Sequence, residues 1–210
     1  MEVYDLTQTY KNGMTSYSEE ESFKKENLYN VKVDGYNVSS LYLSTHTGTH
    51  IDVPKHIFED GYTLDDFDTK EFIGNAYIID CRHLSVIDLE VLEKYKDNIL
   101  NCDYLILKTG WERYFNSEKY FLDYPALTCE ASNFLGNIKS LTGIGTDCIS
   151  IDSEKSEELY NHKNLLSKNK IIIENLCNLD VLDNSFEIII APLKIAEGDG
   201  APTRVYAIKR

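Results

Sequence analysis

Three of the five histidines fall in one stretch with a carboxylate: His46-Thr47-Gly48-Thr49-His50-Ile51-Asp52-Val53-Pro54-Lys55-His56. Imidazoles and carboxylates that converge on one point bind divalent transition metals. Here they recur at even positions, at His46, His50, Asp52 and His56. The odd positions are mostly β-branched (Thr45, Thr47, Thr49, Ile51, Val53), which disfavours helix and suits a strand. Alternate side chains of a strand share a face. The pattern therefore predicts that His46, His50 and Asp52 point the same way, with Gly48 leaving room between them. Three nitrogen and oxygen ligands with positions left open for water describe a catalytic site rather than a closed structural one. Such a metal lowers the pKa of its water from ~15.7 towards ~7. A nearby histidine, with an unperturbed pKa of ~6.5, suits taking and returning a proton.

A second region carries weaker signals. His162 lies in or just beyond a predicted helix, and Glu174 ends a buried run of three isoleucines, Ile171-Ile172-Ile173. A carboxylate at the end of such a run sits at the mouth of a sheet, where sites are built. Taken alone, each residue reads more readily as structural or solvated than as a ligand.

The elements that must position these residues follow from the apolar pattern. Strands are predicted over 36–53, 75–81, 104–109, 144–151, 170–174, 186–190 and 204–208. Helices are predicted over 88–96, 128–140 and 154–167. The first 35 residues read as polar and turn-rich, and the charged patch 19–26 as a solvated loop or short surface helix. Strands outnumber helices, so the chain is α/β and built on mixed sheets. Its 210 residues suffice for one hydrophobic core, and a single domain spanning 1–210 is expected.

Composition excludes some functions. With 35 acidic against 21 basic residues the net charge is −14. No Lys/Arg cluster exists to hold nucleic acid or an anionic membrane. The five cysteines are scattered with no CxxC pair, which suits reduced thiols in a cytoplasmic protein. No run approaches the ~20 apolar residues of a membrane span. No helix-opening GxGxxG or GxxxxGK pattern is present. The loop Gly198–Gly200 reads as a tight turn, His83 as a surface residue, and Trp111 as either core packing or a pocket wall.

The stretch from His46 to His56 matches the signature HxGTHxDxPxH and resembles the cyclase-like metal-dependent hydrolases, the family of bacterial kynurenine formamidase and isatin hydrolase. The resemblance continues through Lys108-Thr109-Gly110-Trp111, Gly143-Ile144-Gly145-Thr146-Asp147 and Gly198-Asp199-Gly200-Ala201-Pro202-Thr203-Arg204. It implies a swivelling β/β/α-type fold and a two-metal site. In that site His46, His50 and Asp52 ligate the first ion, Asp52 bridges to the second, and His162 and Glu174 complete the set. His56 is implied to be the proton shuttle. The cofactor implied is a divalent metal, zinc first and manganese as the alternative, with two ions per subunit. The activity implied is hydrolysis of a small amide C–N bond, arylformamidase being the leading form: N-formylkynurenine to kynurenine plus formate. The alternatives are a cyclase or lactam-opening, isatin-like hydrolase using the same metals, and a metal-binding protein without turnover. A homodimer or homotetramer is implied, with loops of one subunit closing its neighbour's pocket. One departure stands out. Formamidases of this family carry a tryptophan in a stretch resembling GMPVWPGD, where this chain has Gly13-Met14-Thr15-Ser16-Tyr17-Ser18-Glu19-Glu20. Tyr17 takes the substrate-binding position, and a tyrosine still stacks on a planar ring.

Overall fold

Alternate residues of the strand Tyr104–Lys108 divide between two cores. Tyr104 and Ile106 pack into one, Leu105 and Leu107 into the other. Ile171 and Ile173 likewise separate from Ile172. Strands buried on both faces read as unbroken apolar runs rather than alternating ones, which is why these two were legible.

A computed structural model describes residues 1–209. In chain order the strands are β1 (Glu2–Asp5), β2 (Lys24–Tyr29), β3 (Val38–Tyr42), β4 (His50–Asp52), β5 (Ile73–Asp80), β6 (Val86–Ile87), β7 (Tyr104–Lys108), β8 (Ala126–Leu127), β9 (Gly143–Thr146), β10 (Ile171–Glu174), β11 (Ser185–Pro192) and β12 (Gly200–Lys209). The helices are α1 (Val31–Asp34), α2 (Leu89–Glu93), α3 (Lys96–Leu100), α4 (Cys129–Gly136) and α5 (Tyr160–Leu166). Eight strands form one sheet in the order β1-β12-β11-β5-β7-β9-β10-β4, and β4 pairs with β12 as well. That second pairing closes the sheet into a barrel. Strands β5, β7, β9 and β10 run parallel, and the remaining pairings of this sheet are antiparallel. One core fills the barrel; α2 to α5 cover the second core on its outer face. The fold is the expected α/β class of mixed sheet with few helices.

Several expectations need correction. The predicted strand 36–53 is interrupted: β3 ends at Tyr42 and β4 begins at His50. Between them the chain turns at Gly48, whose φ is +62°, a conformation glycine adopts without the Cβ clash. The predicted strand 144–151 stops at Thr146. The helix predicted over 154–167 begins only at Tyr160, after Leu159 in the left-handed region (φ 50°). The helix predicted over 88–96 ends at Glu93, with a separate short helix α3 starting at Lys96, and that over 128–140 ends at Gly136. In the first 35 residues sequence patterning missed β1, which pairs with the C-terminal end of β12, and β2. The patch 19–26 runs into β2, which pairs with β3 to form an exposed arm.

Candidate metal centre

Strand β4 lies between β10 and β12, and its register sets the site. Glu174 stands opposite His50, and Gly200 opposite Asp52. Directly opposed residues of antiparallel strands present side chains to the same face. Glu174 thus meets His50 and Asp52 although 122 positions separate it from Asp52 along the chain. Glycine at 200 is required here. A Cβ there would lie 2.9 Å from His46 Cε1 and would collide with the Ile51 carbonyl.

His46 arrives differently. It sits in the turn before β4, and that turn is clamped from several sides. The Ser44 amide donates to Thr47 Oγ1 at 2.9 Å. Tyr10 Oη donates to the Thr47 carbonyl at 2.8 Å. Asn175 Nδ2 donates to the Gly48 carbonyl at 3.0 Å. Strand alternation therefore does not align His46 with His50 and Asp52, as the spacing predicted; a folded turn does. His56 lies on the short turn Pro54–His56 that follows β4, again off any strand.

The structure brings all six predicted side chains together. His46 Nδ1 is 2.7 Å from Asp52 Oδ1, and His50 Nε2 is 3.2 Å from the same oxygen. His162 Nε2 is 3.5 Å from Asp52 Oδ2 and 3.5 Å from Glu174 Oε1. Three candidate clusters follow, His46–His50–Asp52, Asp52–His162–Glu174 and His46–His56–Asp199, each with ligand atoms within 4.8 Å of one another. Asp52 is shared by the first two triads, and His46 by the first and third. The His56 ring centroid is 4.1 Å from that of His46 and 5.7 Å from that of His162. Its side chain is 29% exposed, more than any of the ligand candidates.

Two carboxylates that sequence reasoning assigned no role hold the histidines. Asp152 Oδ2 is 2.7 Å from His162 Nδ1 and accepts the His162 backbone N–H at 3.0 Å. Asp152 Oδ1 accepts the Asn161 N–H at 2.9 Å. The same carboxylate thus caps α5 and fixes the His162 ring with Nε2 directed at Asp52 and Glu174. Asp199 Oδ2 is 2.9 Å from His46 Nε2 and 3.8 Å from His56 Nδ1. At His50 the backbone serves: Nδ1 is 2.9 Å from the Gly48 carbonyl, and Nε2 faces the acids. A metal-ligating histidine anchored through its other nitrogen is the usual arrangement, because the anchor sets tautomer and orientation. The only sequence signals for these acids were the strand-like run 144–151 that Asp152 directly follows and the glycine-flanked Asp199.

Electrostatics follow the same geometry. Burial disfavours charge on His46, but hydrogen bonds to Asp199 and Asp52 override it and raise its pKa to about 10. His162 is likewise buried, yet Asp152 and Asp52 raise it to about 10. Burial alone would raise the Asp52 carboxyl; His50, His162 and His46 hold it well below the usual range. Burial and the Asp52 charge push Glu174 up.

The residues fit a divalent cation pair. Asp52 is 1% exposed, yet its Oδ2 accepts no hydrogen bond, a costly state unless a ligand completes it. The donors are imidazole nitrogen and carboxylate oxygen, which suit zinc and manganese alike. These groups line a cavity of 290 Å³ whose walls include Tyr124, Ile149 and Leu159. Tyr17 also borders it, but is 75% exposed and stands at the mouth. A wider cleft of 720 Å³ beside β5 and β11 contains none of the ligand clusters. Trp111 is packing rather than pocket wall: it stacks edge-on against Tyr114, and its Nε1 donates to the Tyr120 carbonyl at 3.2 Å. His83 is exposed.

The barrel sheet thus carries, where β4 meets β10 and β12, clusters of histidine and carboxylate side chains that could hold metal ions. The chain belongs to the cyclase family: the family model described as putative cyclase matches residues 4–153. Kynurenine formamidase of Bacillus cereus is 31% identical over 204 residues, covering 97% of this chain and 95% of that protein. Kynurenine formamidase of Bacillus mycoides is 35% identical over 193 residues, covering 91% and 87%. A solved structure of a potential metal-dependent hydrolase with cyclase activity superposes with a TM-score of 0.84 at 27% identity, covering 100% of this chain and 98% of that one.

Proposed function

We propose that this chain is a metal-dependent hydrolase of a small amide C–N bond, acting as one domain over residues 1–210, with arylformamides as the first class to test. The observation that carries the reading is the buried Asp52 shared between two ligand triads, whose Oδ2 accepts no hydrogen bond. Relatives named kynurenine formamidase support the choice of amide. His46, His50 and Asp52 would hold one cation, and Asp52, His162 and Glu174 a second; zinc is the first candidate and manganese the alternative. When bound, such cations acidify water and polarise the amide carbonyl. His56 carries protons: it borders the cavity beside the ligands and lies outside the two triads that share Asp52, grouping instead with His46 and Asp199. At Nδ1 it faces Asp199, so Nε2 is the atom that takes a proton from water and returns it to the departing amine. Tyr17 at the mouth covers an aromatic substrate by stacking.

We further propose a cytoplasmic homodimer or homotetramer. The five cysteines are unpaired, as a reducing compartment requires. No described helix is long and apolar enough to cross a membrane. The arm formed by β2, α1 and β3 exposes Leu28, Val31, Val33, Val38, Leu41 and Tyr42, an apolar surface that marks a protein contact. A direct test is elemental analysis of the purified protein, followed by formate release from N-formylkynurenine and simpler formanilides. Ring opening of lactams or isatins without formate would favour the lactam-opening alternative. Metal uptake with no turnover on either panel would refute the enzyme reading.

A further inference from the structure

The cavity wall carries acidic side chains beyond those of the candidate metal site. Glu21 and Glu154 border it together with the metal-site acids, and no lysine or arginine is among its described lining residues. Glu21 is anchored close to the ligand turn. Its backbone carbonyl accepts from Thr47 Oγ1 at 3.3 Å, and its Oε1 accepts from Ser18 Oγ at 3.3 Å. No lysine or arginine pairs with Glu21 among the described residues. Glu154 is occupied: Oε2 accepts the Asp123 N–H at 2.6 Å, and Oε1 lies 3.8 Å from Lys155 Nζ. The Lys155 ammonium is itself 79% exposed and shared with Asp123 at 3.7 Å. Tyr124 and Ile149, each under 10% exposed, give the same cavity an apolar wall suited to an aromatic ring.

We infer that this site selects aryl amides whose remote group is cationic, with neutral ones next, and selects against amides that carry a carboxylate, Glu21 being the residue that discriminates. The inference rests on the amide-hydrolase reading above. Two divalent cations would be largely neutralised by Asp52, Glu174, Asp152 and Asp199, all within or beside the ligand cluster. Glu21 then remains as an unneutralised charge on the wall. A substrate ammonium gains an ion pair there, whereas a substrate carboxylate meets a like charge and finds no cation to replace its hydration. The net charge of −14 acts in the same direction on encounter, slowing anions and drawing cations.

Three probes separate these effects: N-formylkynurenine (ammonium and carboxylate), N-formylkynuramine (ammonium only) and formanilide (neither). Their kcat/KM values would be measured on the full-length, metal-loaded protein. The expected order places N-formylkynuramine at least about tenfold above N-formylkynurenine. Glu21→Gln brings that ratio towards one, and Glu21→Lys inverts it. A second readout needs no turnover: calorimetric binding of the amines kynuramine and kynurenine, in which kynuramine binds more tightly and Glu21→Gln removes the difference. N-formylkynurenine preferred by the unmodified protein, or equal binding of the two amines, overturns the inference. If no amide is hydrolysed but the binding order holds, the hydrolase reading fails and the charge selection stands.

Discussion

Loading the site with metal must expel protons. In the metal-free chain His46 is raised to about 10 by Asp199 and Asp52 against the effect of burial. His162 is raised to about 10 by Asp152 and Asp52, again against burial. Both therefore carry their second proton at pH 7.5, where an unpaired histidine with a pKa of ~6.5 is mostly neutral. Ligation needs a nitrogen lone pair, so filling both triads releases about two protons per chain. The sign follows directly. For the metal-free fold, a raised histidine pKa stabilises fully below the unfolded value of ~6.5, and that contribution is lost as pH rises through about 10. Cation binding runs the opposite way. Each released proton makes binding about tenfold weaker per unit fall in pH, so two protons over the two units from 8.5 to 6.5 weaken joint occupancy by about 10⁴. Calorimetric titration of metal-free protein with zinc or manganese, in buffers of different ionisation enthalpy, reads the number of protons as a slope. A slope near two is expected. With Asp152→Asn it falls towards one, because His162 loses its strongest partner. A slope near zero in the unmodified protein would refute the protonated, acid-held histidines on which the reasoning depends.

Other outcomes follow from the same geometry. His56→Ala should reduce kcat by about 10² or more while elemental analysis finds the metal content unchanged; full activity would remove His56 from the proton path. Asp199→Asn should weaken metal binding by about 10- to 100-fold, since His46 loses the group that orients it; a competition assay with a chelating dye checks this. Gly200→Ala should cost about 1–3 kcal/mol and displace His46, visible as a lower melting temperature together with reduced metal content; a stable, metal-replete variant would contradict the close approach. Val33→Asp with Leu41→Lys on the exposed arm should lower the mass measured by light scattering to that of one chain, 24.1 kDa, if the arm carries the subunit contact.

The candidate ligands of the first triad were legible because they crowd into one local stretch, and residue type alone restricts what imidazoles and a carboxylate so placed can do. The buried strands β7 and β10 were legible from their unbroken apolar runs. The conformation of the motif was not. Alternating β-branched residues predicted a continuous strand, yet Tyr10 and Asn175 hold the turn around Gly48 by hydrogen bonds from elsewhere in the fold. Helix α5 starts late for a related reason: its first N–H groups are satisfied by Asp152, outside the helix, so local capping signals misplace the boundary.

By itself the sequence determined the class of chemistry, the α/β character and the resemblance on which His162 and Glu174 were placed. Only the tertiary structure decided that β4 pairs with β10 and β12 at once, that Asp52 is shared by two triads, and that Asp152 and Asp199 hold the rings. The reason is range. Residue type and short spacing set what a side chain can bind, but strand register and barrel closure set which distant groups face each other, and those depend on contacts that no local pattern encodes.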